Sequence, residues 1–192
     1  MRDMVNEPGN IMNSTNFVKF VKENHQKLKL EIMNQAELKK KKLNLILGVN
    51  RGSENKPYLL VVKWLPVKKQ KPVVLVGKGV TFDTGGINLK RYDFHDMKTD
   101  MTGASAVFSL LRLCALNKLK KNVIALIPLV ENMVGSKATR PGDIITSYNK
   151  KTVEIMDTDA EGRLIMADAL SYAENFKPCC VIDVATLTGQ AG

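Results

Sequence analysis

The sequence predicts an α/β fold: a mostly parallel, mixed sheet with helices on both faces, in three layers. Two observations predict it. Apolar runs at 59–64, 72–76 and 123–130 have the length of strands and the near-continuous apolarity of strands buried on both faces. Segments of helical periodicity lie between such runs, and that alternation implies parallel strands joined by covering helices. The 192 residues, 44% hydrophobic and 25% charged, suffice for one domain with a proper core, so 1–192 reads as a single domain.

The elements follow in order. Residues 14–27 read as a helix, with Phe17, Phe20 and Val21 on one face and Lys19, Lys22 and Lys27 outside. Residues 28–32 alternate like a strand, and 34–43 return to helical spacing. The strand candidates 59–64 and 72–76 are separated by a turn containing proline and lysine. Residues 102–117 are rich in Ala and Leu and form a helix ending near Asn117. Residues 123–130 are a strong strand, 151–156 another. Residues 160–176 are helical through Leu164, Ala167, Leu170 and Ala173. A last strand, 181–185, runs into the loop Thr186-Leu187-Thr188-Gly189. A central strand with nothing covering it predicts a fold incomplete on its C-terminal side, a piece of a longer protein.

Composition narrows the setting. No apolar run reaches the length of a membrane span, and residues 1–8 carry no signal-peptide apolar stretch. Cys114, Cys179 and Cys180 form neither a disulfide framework nor a metal-ligand spacing; Cys179 and Cys180 are expected as packed thiols beside a strand. A reducing cytoplasm fits best. The net charge is +10, all of it from the first part: residues 1–78 hold 16 Lys/Arg against 6 Asp/Glu, residues 79–192 hold 13 against 13. Such a basic stretch can attract nucleic acid or an anionic surface, but no aromatic residues interleave with the lysines, and a solvated helix face is the simpler reading.

Gly77-Lys78-Gly79-Val80-Thr81-Phe82-Asp83-Thr84-Gly85-Gly86 looks at first like a nucleotide cradle. A phosphate-binding loop needs Ser or Thr right after its lysine, where Gly79 stands. A dinucleotide fingerprint needs a third glycine, where Phe82 stands. A flexible loop at a strand's carboxyl end is expected here, with another cargo.

Three acidic clusters supply the clue: Asp83 with Lys78, then Asp100, then Asp157, Asp159 and Glu161. Each has an ordinary reading. Asp100 could be a helix N-cap, Asp159 and Glu161 could complement a helix dipole, and Asp83 could be a turn residue. Together they place carboxylates at several strand ends. Carboxylates brought together repel unless protonated or bound to cations. With no His or Cys cluster, the ligand set is oxygen-rich with one lysine amine, which suits Mg²⁺, Mn²⁺ or carboxylate-bound Zn²⁺. Paired cations need bridging carboxylates, which four acids can supply, and metal-assisted hydrolysis is the favoured class.

Two strings carry a resemblance. Residues 76–90, VGKGVTFDTGGINLK, and residues 157–164, DTDAEGRL, closely resemble the leucyl aminopeptidase (cytosol aminopeptidase) family. Residues 2–8, 131–133, 140–143 and 185–189 support it; residues 14–47 match least. The resemblance implies a two-metal aminopeptidase that removes N-terminal residues, leucine and similar, from peptides. It implies Lys78, Asp83, Asp100, Asp159 and Glu161 as ligands of two divalent ions, Asp83 and Glu161 bridging, Lys78 and Asp100 on one ion, Asp159 on the other. Lys90 would stabilise the developing oxyanion, and Arg163 would hold a bicarbonate ion that shuttles a proton. Met97, Thr186, Leu187 and Gly189 would line the substrate pocket. It further implies a hexamer. The sequence departs from the family in two places. The 91–99 segment is one residue short, and Asp157 stands where Asn is common, adding negative charge beside the metals. The family's N-terminal domain and the last third of its catalytic domain are absent from these 192 residues.

Overall fold

A computed structural model describes residues 1–92 and 94–189. Its main sheet contains β1 (Lys29–Met33), β2 (Tyr58–Trp64), β3 (Val73–Gly77), β4 (Gly79–Asp83), β5 (Val123–Asn132) and β8 (Cys180–Val184). The strand order is β1-β2-β5-β3-β8, with β4 also paired to β5. β1–β2 and β2–β5 are antiparallel, while β3–β5, β4–β5 and β3–β8 are parallel. The expected mixed, mostly parallel sheet is therefore present. β6 (Ile144–Thr146) and β7 (Thr152–Glu154) form a separate antiparallel hairpin.

The helices divide between the two faces because strand side chains alternate. Leu60 and Val62 of β2, Leu75 of β3 and Ala125, Ile127 and Leu129 of β5 pack with α1 (Arg2–Asn6), α2 (Ser14–Asn24) and α5 (Thr102–Leu116). Leu59, Val61, Val74, Val76, Ile124, Leu126 and Val130 pack with α3 (Gln35–Lys41), α4 (Asn44–Val49) and α6 (Glu161–Ala173). Most of these strand residues are fully buried, the Val, Leu and Ile side chains each contributing about 1.5–3 kcal/mol.

Several elements differ from expectation. The Gly-rich segment is not a flexible loop: 79–83 is β4, which continues β3 along the same side of β5. The register Val76↔Leu126 carries on as Gly79↔Leu129, with Lys78 as the single interruption. A bulge between Val80 and Asp83 then turns the strand end. Glycine is needed here for closeness: a Cβ on Gly103, at the start of α5, would lie 2.1 Å from the Val184 carbonyl oxygen. The helical stretch expected at 34–43 ends at Lys41, and α4 follows as a second helix. The strand expected at 151–156 belongs to the hairpin. β8, expected as central, lies at the sheet edge with all five residues exposed. Cys179 and Cys180 are likewise exposed rather than packed. No helix among the described residues is long and apolar enough to cross a membrane.

Candidate metal centre

The site forms where the parallel strands end, as α/β sheets dictate. The break at Lys78 builds its first corner. The Lys78 backbone N–H donates to the Val184 carbonyl (3.0 Å) of β8, and its own carbonyl accepts from Ala104 (2.8 Å) in α5. Alternation carries the Lys78 side chain to the same face as Val74 and Val76, towards the start of α6. There its Nζ donates to Asp100 Oδ1 (2.7 Å), Glu161 Oε1 (2.9 Å) and the Thr186 carbonyl (2.9 Å). The absent side chain of Gly162 makes the room, for a Cβ there would lie 2.5 Å from Lys78 Cε.

Asp100 precedes α5 but does not cap it; the N-cap position belongs to Met101, and no side chain caps there. Asp100 Oδ1 instead accepts from Thr186 Oγ1 (2.7 Å) as well as from Lys78. Asp83, at the end of β4, has one oxygen engaged by neutral donors: Oδ1 accepts from the Gly85 N–H (2.9 Å) and from Asn132 Nδ2 (2.8 Å). The first bond is the turn contact expected of an aspartate before glycine. Oδ2 faces Lys90 Nζ (2.8 Å), which also reaches Asp159 Oδ1 (2.5 Å). Glu161 is the first residue of α6 and is buried.

Burial pushes the Asp100 carboxyl up to about 6 despite Lys78 beside it, and pushes Glu161 up to about 7. Burial also raises Asp159. Burial works against the ammonium of Lys78, yet Glu161 and Asp100 outweigh it and hold its pKa up. Lys90 is raised the same way, by Asp159 and Asp83.

The carboxylates outnumber the two lysines, and the surplus is visible as atoms. Asp100 Oδ2 and Glu161 Oε2 are buried without a hydrogen-bond partner among the described residues. A buried acceptor left unpaired costs about 1–3 kcal/mol, and more when charged. Asp83, Asp100 and Glu161 can each offer an oxygen such that all lie within 4.8 Å of one another. An oxygen-rich set with orphaned oxygens fits a hard or borderline divalent cation. Asp159 stands outside that group of three, half-buried and tied to Lys90.

The remaining expected residues fall around one cleft of about 590 Å³. Arg163, in the first turn of α6, is exposed and lines it. Met97 enters from the short helical turn Phe94–Thr99, and Thr186, Leu187 and Gly189 from the segment after β8. Asp157 lines the cleft too, its Oδ1 accepting from the Asp159 N–H (2.9 Å). Sequence reasoning gave no role to Asn132 or Thr158. Asn132 follows Glu131 as the polar end of an apolar ten-residue strand, which was the available signal. Thr158 accepts from the Asn88 N–H (2.8 Å) and donates to the Gly85 carbonyl (2.7 Å), joining the two acidic loops.

Fold and site together define a class: a three-layer α/β/α domain whose strand ends gather carboxylates and lysines into one cleft whose acidic groups could hold a divalent cation. More narrowly, the chain belongs to the cytosol aminopeptidase family, whose catalytic domain it matches over residues 1–192. A probable cytosol aminopeptidase of Phytoplasma australiense is 49% identical over 98% of this chain, and one of Dinoroseobacter shibae is 46% identical over 98%. The chain spans 39% of the length of each. Among solved structures, the cytosol aminopeptidase of Coxiella burnetii superposes with a TM-score of 0.93 at 39% identity, covering 99% of this chain and 42% of that one. A bottromycin maturation enzyme solved in complex with Mn gives 0.91 at 37% identity, covering 99% and 43%.

Proposed function

We propose that residues 1–192 form one catalytic unit of a metal-dependent aminopeptidase, which hydrolyses N-terminal residues, leucine and similar, from peptides. The observation that carries the proposal is the pair of orphaned, buried carboxylate oxygens on Asp100 and Glu161, beside Asp83. Two divalent ions, drawn from Mn²⁺, Zn²⁺ and Mg²⁺, would be held by Lys78, Asp83, Asp100, Asp159 and Glu161. Bound there, they would supply Lewis acidity toward a scissile carbonyl and toward water.

The chain's own residues do the rest. Lys90, held cationic by Asp83 and Asp159, supplies positive charge where an oxyanion develops. Arg163, in the first turn of α6, offers a guanidinium and a helix N-terminus to an anion, bicarbonate in this reading, that takes part in proton transfer. Met97 and Leu187 give the cleft apolar surface for a substrate side chain, and the backbone at Thr186 and Gly189 lines the path of the peptide. Homo-oligomeric assembly as a hexamer and a cytoplasmic location belong to the same proposal, the location drawing on the family's description as cytosol aminopeptidases.

The test is hydrolysis of a leucine-linked chromogenic amide with Mn²⁺ or Zn²⁺ and bicarbonate, beside a Lys90→Ala chain. Metal-dependent turnover that disappears in the variant is expected. Turnover equal in both would refute the role of Lys90, and a parent inert with every metal would refute the activity of this chain.

A further inference from the structure

Asp100 and Glu161 share a pattern: each has one oxygen engaged by the protein and one without a hydrogen-bond partner among the described residues. Asp100 Oδ1 is held by Lys78 and Thr186, and Glu161 Oε1 by Lys78. Asp83 differs in its donors. Its Oδ1 is engaged by neutral groups alone, the Gly85 N–H and Asn132 Nδ2. Neutral donors fix a carboxylate without cancelling its charge. They leave Oδ2 as the oxygen turned to the cationic side of the site, where Lys90 meets it.

Asn132 is built for this. It is 4% exposed, at the end of β5, where the bulge in β4 brings Asp83 opposite it. Its Nδ2 also donates to the Thr158 carbonyl (3.0 Å). Both neighbours are acceptors, so the amide has one workable orientation, and its two hydrogens are both committed. One side chain on the rigid central strand thus holds the acidic loop of Asp83 and the acidic loop of Asp159 in one frame.

We infer that Asn132 is a positioning residue for cation binding, orienting Asp83 so that Oδ2 is presented to the ion. The inference rests on the cation site proposed above. Outer-shell partners of ligating carboxylates, when removed, typically weaken metal affinity about 10–100-fold.

The test is a calorimetric Mn²⁺ titration of the parent, Asn132→Ala and Asn132→Leu, with Asn88→Ala as control. Leucine keeps the shape of asparagine, so one of the two variants should remain folded, as far-UV circular dichroism will show. Asn88 ties the same two loops, its Oδ1 accepting from the Thr158 N–H (3.0 Å), but has no bond to a carboxylate. Affinity about 10–100-fold weaker in the folded Asn132 variant, with Asn88→Ala near the parent, is the expected result. Parent-like affinity in the folded Asn132 variant overturns the inference and leaves the site standing. An equal fall in Asn88→Ala also overturns it, since loop tying alone would then explain the loss. A parent that takes up no Mn²⁺ overturns the site and the inference together.

Discussion

Replacing Gly162 by alanine probes the site from behind. The added Cβ would lie 2.5 Å from Lys78 Cε and 2.9 Å from Nζ, whereas ordinary contact begins at 3.4 Å. The lysine tip must therefore retreat by about 1 Å. Its Nζ is held by three acceptors at 2.7–2.9 Å, and such a retreat carries at least one of these bonds past the usable range. A charge-assisted bond contributes about 1.5–3 kcal/mol, so the cation-free cluster loses about 3 kcal/mol of stability; cation affinity falls for a separate reason, the displacement of Lys78 Nζ from its proposed ligand position, by about 10–100-fold. Alanine in the helix returns at most about 1 kcal/mol, so global stability falls by only about 2 kcal/mol. Calorimetric Mn²⁺ titration of Gly162→Ala beside urea denaturation reads both quantities. Mn²⁺ affinity within about threefold of the parent would refute the reasoning, because that is under about 0.7 kcal/mol.

Other perturbations separate stability from chemistry. Asp168 is fully buried on α6 and accepts from the Leu45 (2.8 Å), Ile46 (3.3 Å) and Tyr148 (2.8 Å) N–H groups, so Asp168→Ala should cost about 3–4 kcal/mol by urea denaturation, with Asp168→Asn recovering part. Lys42 (φ 62°) closes α3 and Lys118 (φ 50°) follows α5, both left-handed; glycine at either should raise stability by about 0.5–1 kcal/mol, seen as a higher Tm. Asp100 and Glu161 are raised by burial to about 6 and about 7, so the cation-free native chain holds more protons than the unfolded one between their ordinary values and these. Its stability should therefore fall as pH rises through that window, and Glu161→Gln should flatten the upper part of the fall.

Much of this was legible in the residues. The apolar strands and the covering helices announce themselves by periodicity, and DTDAEGRL carries the family. Other features depend on distant partners. α4 was missed because no local residue caps it; Leu43 holds its N-cap position, and the cap comes from Asp168, on α6. The 79–83 segment reads as a loop because glycine usually breaks structure. At Gly79 it serves close packing instead, for a Cβ would meet the Pro128 carbonyl at 2.4 Å. Cys179 and Cys180 are expected inside because β8 reads as an apolar central strand, whereas within these 192 residues it is the last strand of the order β1-β2-β5-β3-β8. Asn132 and Thr158 lie in segments that carry the family resemblance, but neither is charged, and their contacts appear only when β5 and the two acidic loops meet.

The central claim is that these carboxylates gather to hold two divalent cations. Titrating the parent chain and Glu161→Gln with Mn²⁺ by calorimetry tests it most directly. Two equivalents bound by the parent, with binding abolished or sharply weakened in the variant, is the predicted result. No uptake by the parent, or equal uptake by the variant, would contradict it.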